Sequence, residues 1–123
     1  MTETTATIYN KAAGNWERNE PILLSDFTAR PRVFELCEPI AGMDVLDLGC
    51  GKGYVARQLK QRGAARLEAI DISEQMIEHA RAAEAAEPLG IRYRVGNAVD
   101  LPDFEDGSFD RVIAVFLFNY LTV

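Results

Sequence analysis

Gly49, Gly51 and Gly53 place three glycines in five positions, with Asp47 two residues before the first of them and Asp71 twenty-two residues after it. Without a Cβ the backbone of such a turn can take positive φ and let a ligand lie against it. The spacing narrows the ligand. A phosphate loop of the form G-x-x-x-x-G-K-[ST] is excluded, because Lys52 has only Gly49 and Gly51 before it and Gly53 after it. The dinucleotide fingerprint G-x-G-x-x-G is nearer, but the third glycine comes one residue early. Tyr54 stands at the place of that glycine, where its ring would obstruct close helix–strand packing.

The two acids carry more information. A carboxylate at Asp47, at the mouth of the turn, repels a pyrophosphate and attracts an ammonium or a sulfonium. The alternative is an aspartate that caps the turn through backbone N–H groups. Asp71 lies close to the distance at which an acid accepts hydrogen bonds from a ribose diol. Its alternative is an aspartate that starts the helix at Ser73. Taken together, a cation-favouring mouth and a ribose-binding acid point to a positively charged nucleoside without phosphates, and S-adenosylmethionine is such a molecule.

These residues need a strand before the turn and a helix after it, and the pattern supplies both. MDVLDL is a short strand. Val55, Ala56 and Leu59 then form one helical stripe that stops at Gly63. RLEAID is a second strand, followed by a helix with Ser73 at its cap and Met76, Ile77, Ala80 and Ala83 on one face. IRYRV alternates as an edge strand with one wet face, and DLPDFEDGSF is a turn-rich loop. VIAVFLF is apolar on both faces and suits a central, covered strand. The alternation predicts an α/β, Rossmann-like, doubly wound architecture, mostly parallel, with helices on both faces of the sheet.

Upstream, residues 1–41 read as a helical preamble to the sheet-forming residues 42–123. It comprises one helix from Thr4 to about Trp16 and another in ARPRVFELCEPI that puts Val33, Leu36, Cys37 and Ile40 on one face.

Composition excludes several partners. The chain has 123 residues, enough for one domain, and 48% of them are apolar. Thirteen basic against nineteen acidic residues leave a net charge of −6 with the basic ones scattered, which disfavours nucleic acid. Cys37 and Cys50 are isolated, so no metal site is expected, and a reducing interior suits them. The start lacks a secretory pattern, and the longest apolar run, Val112 to Phe118, is too short to span a bilayer. A cytoplasmic protein without membrane contact is the expectation.

The motifs together resemble the class I S-adenosylmethionine-dependent methyltransferases, especially their small-molecule branch. VLDLGCGKG is similar to that family's first motif and AIDIS to its acidic second-strand motif. GNAVDLP is similar to its third-strand motif, and SFDRVIAVFLFNYL to its fourth, in the family's order over residues 42–121. The resemblance implies that Asp47 and the turn from Gly49 through Cys50 and Gly51 to Gly53 hold the methionine part of S-adenosylmethionine. It implies Asp71 for the ribose hydroxyls, Ile72 for one face of the adenine, and Asn97, Ala98 and Val99 around the adenine amino group. The backbone at Val115 and Phe116 would pass beneath the cofactor, with Tyr9 or Trp16 closing over it.

Two positions depart from the family. Asn97 replaces the common aspartate, giving an acceptor without charge assistance. An Asn-Pro-Pro-Tyr element is missing after the fourth strand, which weighs against amino-group methyltransferases of nucleic acids. The resemblance implies seven strands and the sequence carries four, so the expectation is the N-terminal half of the fold. Either the chain is truncated, or its fourth-strand edge is covered by self-association, since an open apolar edge is a hazard.

Transfer from a sulfonium is an in-line displacement with a good leaving group, so positioning and exclusion of water carry much of the catalysis. No catalytic residue is assigned. His79 reads as a solvated residue, and Asn119 and Tyr120 stand near the end of the fourth strand without a defined role. Three readings follow: transfer of a methyl group to a small molecule with S-adenosylhomocysteine as product, a non-catalytic cofactor-binding or interaction module, and a nicotinamide-dependent oxidoreductase. The last is disfavoured by Asp47 and the early third glycine.

Overall fold

The computed structural model describes residues 29–101 and 104–115. The expected first helix, Tyr9, Trp16, Phe116, Asn119 and Tyr120 lie outside the described residues. In chain order the elements are α1 (Ala29–Cys37), β1 (Asp44–Leu48), α2 (Tyr54–Gln61), β2 (Arg66–Asp71), α3 (Glu74–Ala86), β3 (Arg92–Val95) and β4 (Arg111–Ile113). The four strands form one parallel sheet in the order β3-β2-β1-β4. The order reverses between β1 and β4, and open α/β sheets bind ligands at such a switch point, outside the carboxyl ends of the strands.

Register sorts the side chains onto two faces. Val45 and Asp47 of β1 pair with Leu67 and Ala69 of β2, Ala69 pairs with Tyr93, and Asp47 pairs with Ile113, so these side chains share one face. On that face they meet Phe34 and Cys37 of α1, Val55, Ala56 and Leu59 of α2, and Ile77 and Ala80 of α3 in one core. Leu59, Leu67 and Ile77 are fully buried, each such side chain contributing about 1.5–3 kcal/mol. The described part of the preamble thus packs in the same core as the strands.

The opposite face carries Arg66, Glu68 and Arg94, and the loop before β4 closes over it. The Arg66 guanidinium lies 4.3 Å from the Phe109 ring centre and that of Arg94 lies 4.9 Å from Phe104, while the two rings meet edge to face at 5.2 Å. Buried Glu68 pairs with Arg94 at 3.5 Å. Such cation–π contacts contribute about 0.5–1 kcal/mol each where partly exposed. The start of β4 is tied to β1 reciprocally, the Asp44 N–H donating to Asp110 Oδ2 and the Asp110 N–H to the Asp44 carbonyl, both at 2.8 Å.

Two expectations need correction. Leu36 is 69% exposed, because the face that α1 turns to the core runs through Phe34 and Cys37, and buried Ile40 lies beyond the helix. The fourth strand spans three residues and pairs with β1 alone among the described strands, and Val112 is 59% exposed because no described helix covers its face. An apolar groove of about 420 Å³ runs between α1 and β4, lined by Leu36, Cys37 and Val112 among others.

Gly53 has φ +89°, and a Cβ there would clash with the Tyr93 hydroxyl oxygen. Gly53→Ala is therefore expected to cost about 1–3 kcal/mol from overpacking and a further ~1 kcal/mol from left-handed backbone. Urea unfolding measures this, and Tyr93→Phe should recover part of the loss. A variant as stable as the parent would show that the turn does not sit on Tyr93.

Candidate functional site

Asp47 is the last buried residue of β1, 2% exposed, and its Oδ2 has no hydrogen-bond partner. No backbone N–H caps that oxygen, so the turn-capping alternative is not realised there. Burial first, and the neighbouring Asp71 charge second, push its carboxyl from 3.8 up to about 8. An uncompensated buried carboxylate is costly, and a cation brought against it relieves the cost.

The glycine turn hangs from β2. The Gly49 and Cys50 N–H groups both donate to the Ile70 carbonyl, at 2.8 and 3.0 Å. Asp71 completes the attachment, Oδ2 accepting from the Gly51 N–H and Oδ1 from the Ser73 N–H, both at 2.9 Å. The helix-starting role of Asp71 is thus real, and it is joined to a second role in holding the turn. Burial raises its pKa, and the N–H groups of Ser73, Gly51 and Ile72 draw it back. Each carboxylate oxygen can accept more than one hydrogen bond, so capacity for a diol remains. Ser73 Oγ caps α3, accepting from the Met76 N–H at 3.2 Å.

All three turn glycines have positive φ. A Cβ built on Gly51 meets nothing within 4 Å, so the turn faces open space there. Cys50 is buried, and desolvation together with Asp47 and Asp71 raises its thiol pKa, so it stays protonated and does not act as a nucleophile.

Of the other residues singled out by sequence, Ile72 is 38% and Val99 54% exposed, apolar surface at the carboxyl ends of β2 and β3. Asn97 is exposed, its Oδ1 accepting from the Val99 N–H at 3.1 Å, and Ala98 between them is partly exposed. Val115 packs against the core beyond β4. The turn, Asp47 and Asp71 are therefore gathered, and Asn97 accepts one local hydrogen bond with a lone pair of its amide oxygen left over.

Sequence reasoning used Lys52 only to exclude a phosphate loop, yet its ammonium Nζ is buried and has no hydrogen-bond partner. The signal was available as a cation inside a glycine turn. Tyr93 was also missed as the floor of that turn. No hydrogen bond to its hydroxyl has acceptable geometry, although nearby Arg57 partly offsets the upward push of burial on the phenol.

A family model described as a methyltransferase domain matches residues 45–123. A solved S-adenosylmethionine-dependent methyltransferase from Mesorhizobium loti superposes with a TM-score of 0.61 at 31% identity, over 68% of this chain and 37% of that one. The chain belongs to the class I S-adenosylmethionine-dependent methyltransferases. Relatives of this methyltransferase chain include the nocamycin O-methyltransferase of Saccharothrix syringae, 44% identical over 87 residues, 68% of this chain and 30% of that protein. A ubiquinone biosynthesis O-methyltransferase of Neisseria meningitidis is 36% identical over 83 residues, 67% of this chain and 35% of that protein. The chain thus covers about a third of the length of these relatives.

The raised Asp47 pKa sets a pH dependence. The folded chain keeps this proton up to about pH 8, whereas an unfolded aspartate releases it near 3.8, so stability contributed by the group falls as pH rises between those values. Asp47→Asn should abolish that fall and be more stable than the parent at about pH 8.5 by on the order of 1–3 kcal/mol. Urea unfolding at about pH 5 and pH 8.5 measures it, and parallel curves for the two proteins would contradict the assignment.

Proposed function

We propose that the chain binds S-adenosylmethionine at the Gly49–Gly53 turn and serves the transfer of its methyl group to a small molecule, leaving S-adenosylhomocysteine. The observation that carries this reading is the buried Asp47 carboxyl, its Oδ2 without a hydrogen-bond partner, at the mouth of a glycine turn at the switch point of the sheet. It suits a ligand with positive charge, and the open space at Gly51 suits close approach.

When bound, the cofactor supplies an electrophilic methyl on a sulfonium. The protein's part is to bind and orient. Asp47 holds positive charge, Asp71 accepts from the ribose hydroxyls, and Ile72 with Val99 offers apolar surface to the adenine. Asn97 fixes the loop that carries Ala98 and Val99. The acidic balance of the chain supports a small-molecule acceptor over nucleic acid, as do relatives named as O-methyltransferases. No described helix is long and apolar enough to cross a membrane, and two free cysteines suit a reducing compartment such as the cytoplasm.

Calorimetric titration with S-adenosylmethionine, S-adenosylhomocysteine and NAD tests the reading. Binding of the sulfur nucleosides without NAD is expected, and binding of NAD alone would overturn it. Asp71→Ala should lose about 1–3 kcal/mol of affinity for S-adenosylhomocysteine, with Asp71→Asn losing less because one amide oxygen still accepts. Unchanged affinity in Asp71→Ala would show that the ribose lies elsewhere.

A further inference from the structure

The Lys52–Gly53 peptide of the glycine turn is held at both ends. Arg57 Nη1 donates to the Lys52 carbonyl at 2.8 Å, and from the same planar unit the Gly53 N–H donates to the Cys50 carbonyl at 3.0 Å. A peptide plane rotates as one piece, so fixing its C=O also aims its N–H. Lys52 stands between two glycines, whose backbones accept left- and right-handed conformations about equally well, so local preference does not set that plane. Asp71 and the Ile70 carbonyl restrain the strand side of the turn, at Gly49, Cys50 and Gly51. The restraint on its helix side comes from Arg57.

Two further observations assign Arg57 to the turn and not to the helix that carries it. It is the fourth residue of α2, whose first turn has no acidic residue and no capping side chain. A cation there opposes the positive end of the helix dipole, so its charge does not help the helix form. Tyr93 also closes the turn from below. Its ring lies where a Gly53 Cβ would stand, its hydroxyl is buried without a hydrogen-bond partner, and Arg57 is near enough for its charge to act on the phenol. The turn is thus backed by Tyr93 and drawn toward α2 by Arg57.

We propose that Arg57 is a positioning residue for cofactor binding, its guanidinium holding the Lys52 carbonyl so that the backbone from Gly51 to Gly53 keeps one conformation over Tyr93 before the ligand arrives. The inference rests on the cofactor reading above and adds a residue to it. Arg57 acts through the Lys52–Gly53 peptide, and what it contributes is a smaller ordering cost on binding.

Binding of S-adenosylhomocysteine and amide NMR spectra of the 123-residue chain test this. Arg57→Met keeps the aliphatic stem without the donor and should weaken binding about tenfold, the order of one hydrogen bond from a charged group. Arg57→Lys keeps a charged donor and should recover part of the loss. In free Arg57→Met the amides of Gly51, Lys52 and Gly53 should broaden or double as the peptide samples a second orientation, and sharpen at saturating ligand. Urea unfolding monitors the fold of each variant, and Arg57→Gln takes the place of Arg57→Met should the latter not fold. Unchanged affinity in Arg57→Met, equal loss in the Met and Lys variants, or a loss without change at those amides would overturn the role of Arg57 while leaving the cofactor reading intact. Failure of the parent chain to bind S-adenosylhomocysteine would overturn both.

Discussion

The Asp71 carboxylate is the constraint on which the site depends. One oxygen holds the Gly51 N–H and the other the Ser73 N–H, both at 2.9 Å, so a single side chain fixes the glycine turn after β1 to the start of α3 after β2. Charge-assisted bonds to backbone N–H groups are the stronger kind. With the turn also hung from the Ile70 carbonyl and seated on Tyr93 through Gly53, its shape is set before any ligand arrives. Preorganisation of this sort lowers the ordering cost of binding.

What the fold then presents is an electrostatic imbalance. Asp47 is buried where its charge is poorly solvated, and its carboxyl is pushed up to about 8. The Lys52 ammonium is buried without a hydrogen-bond partner. Neither feature helps the chain fold, since buried unpaired charges cost stability. A ligand that brings positive charge would relieve the cost at Asp47.

The sequence made the local parts of this legible. Periodicity placed α2 and α3 because Val55, Ala56, Leu59, Met76, Ile77 and Ala80 repeat at helical spacing and are buried as expected. Ser73 announced its cap. The acids at Asp47 and Asp71 marked the turn as a candidate site for a cationic nucleoside. Contacts between distant segments were not legible: Tyr93 beneath Gly53 joins β3 to a turn after β1, and Phe104 and Phe109 meet Arg94 and Arg66 from a loop whose sequence reads only as turn-rich. Leu36 was misplaced because apolar residues run around α1, and the pattern could not show that Phe34, not Leu36, faces the core with Cys37. The bond from the Val99 N–H to the Asn97 oxygen two residues back was not legible either, because it depends on loop geometry.

The most direct test of the account is an amide-resolved NMR titration of the chain with S-adenosylhomocysteine. The account predicts shifts concentrated at the amides of Gly49 to Gly53, Asp71 to Ser73 and Asn97 to Val99, saturating together. Shifts centred on the α1 and β4 groove, or none at saturating ligand, would contradict it.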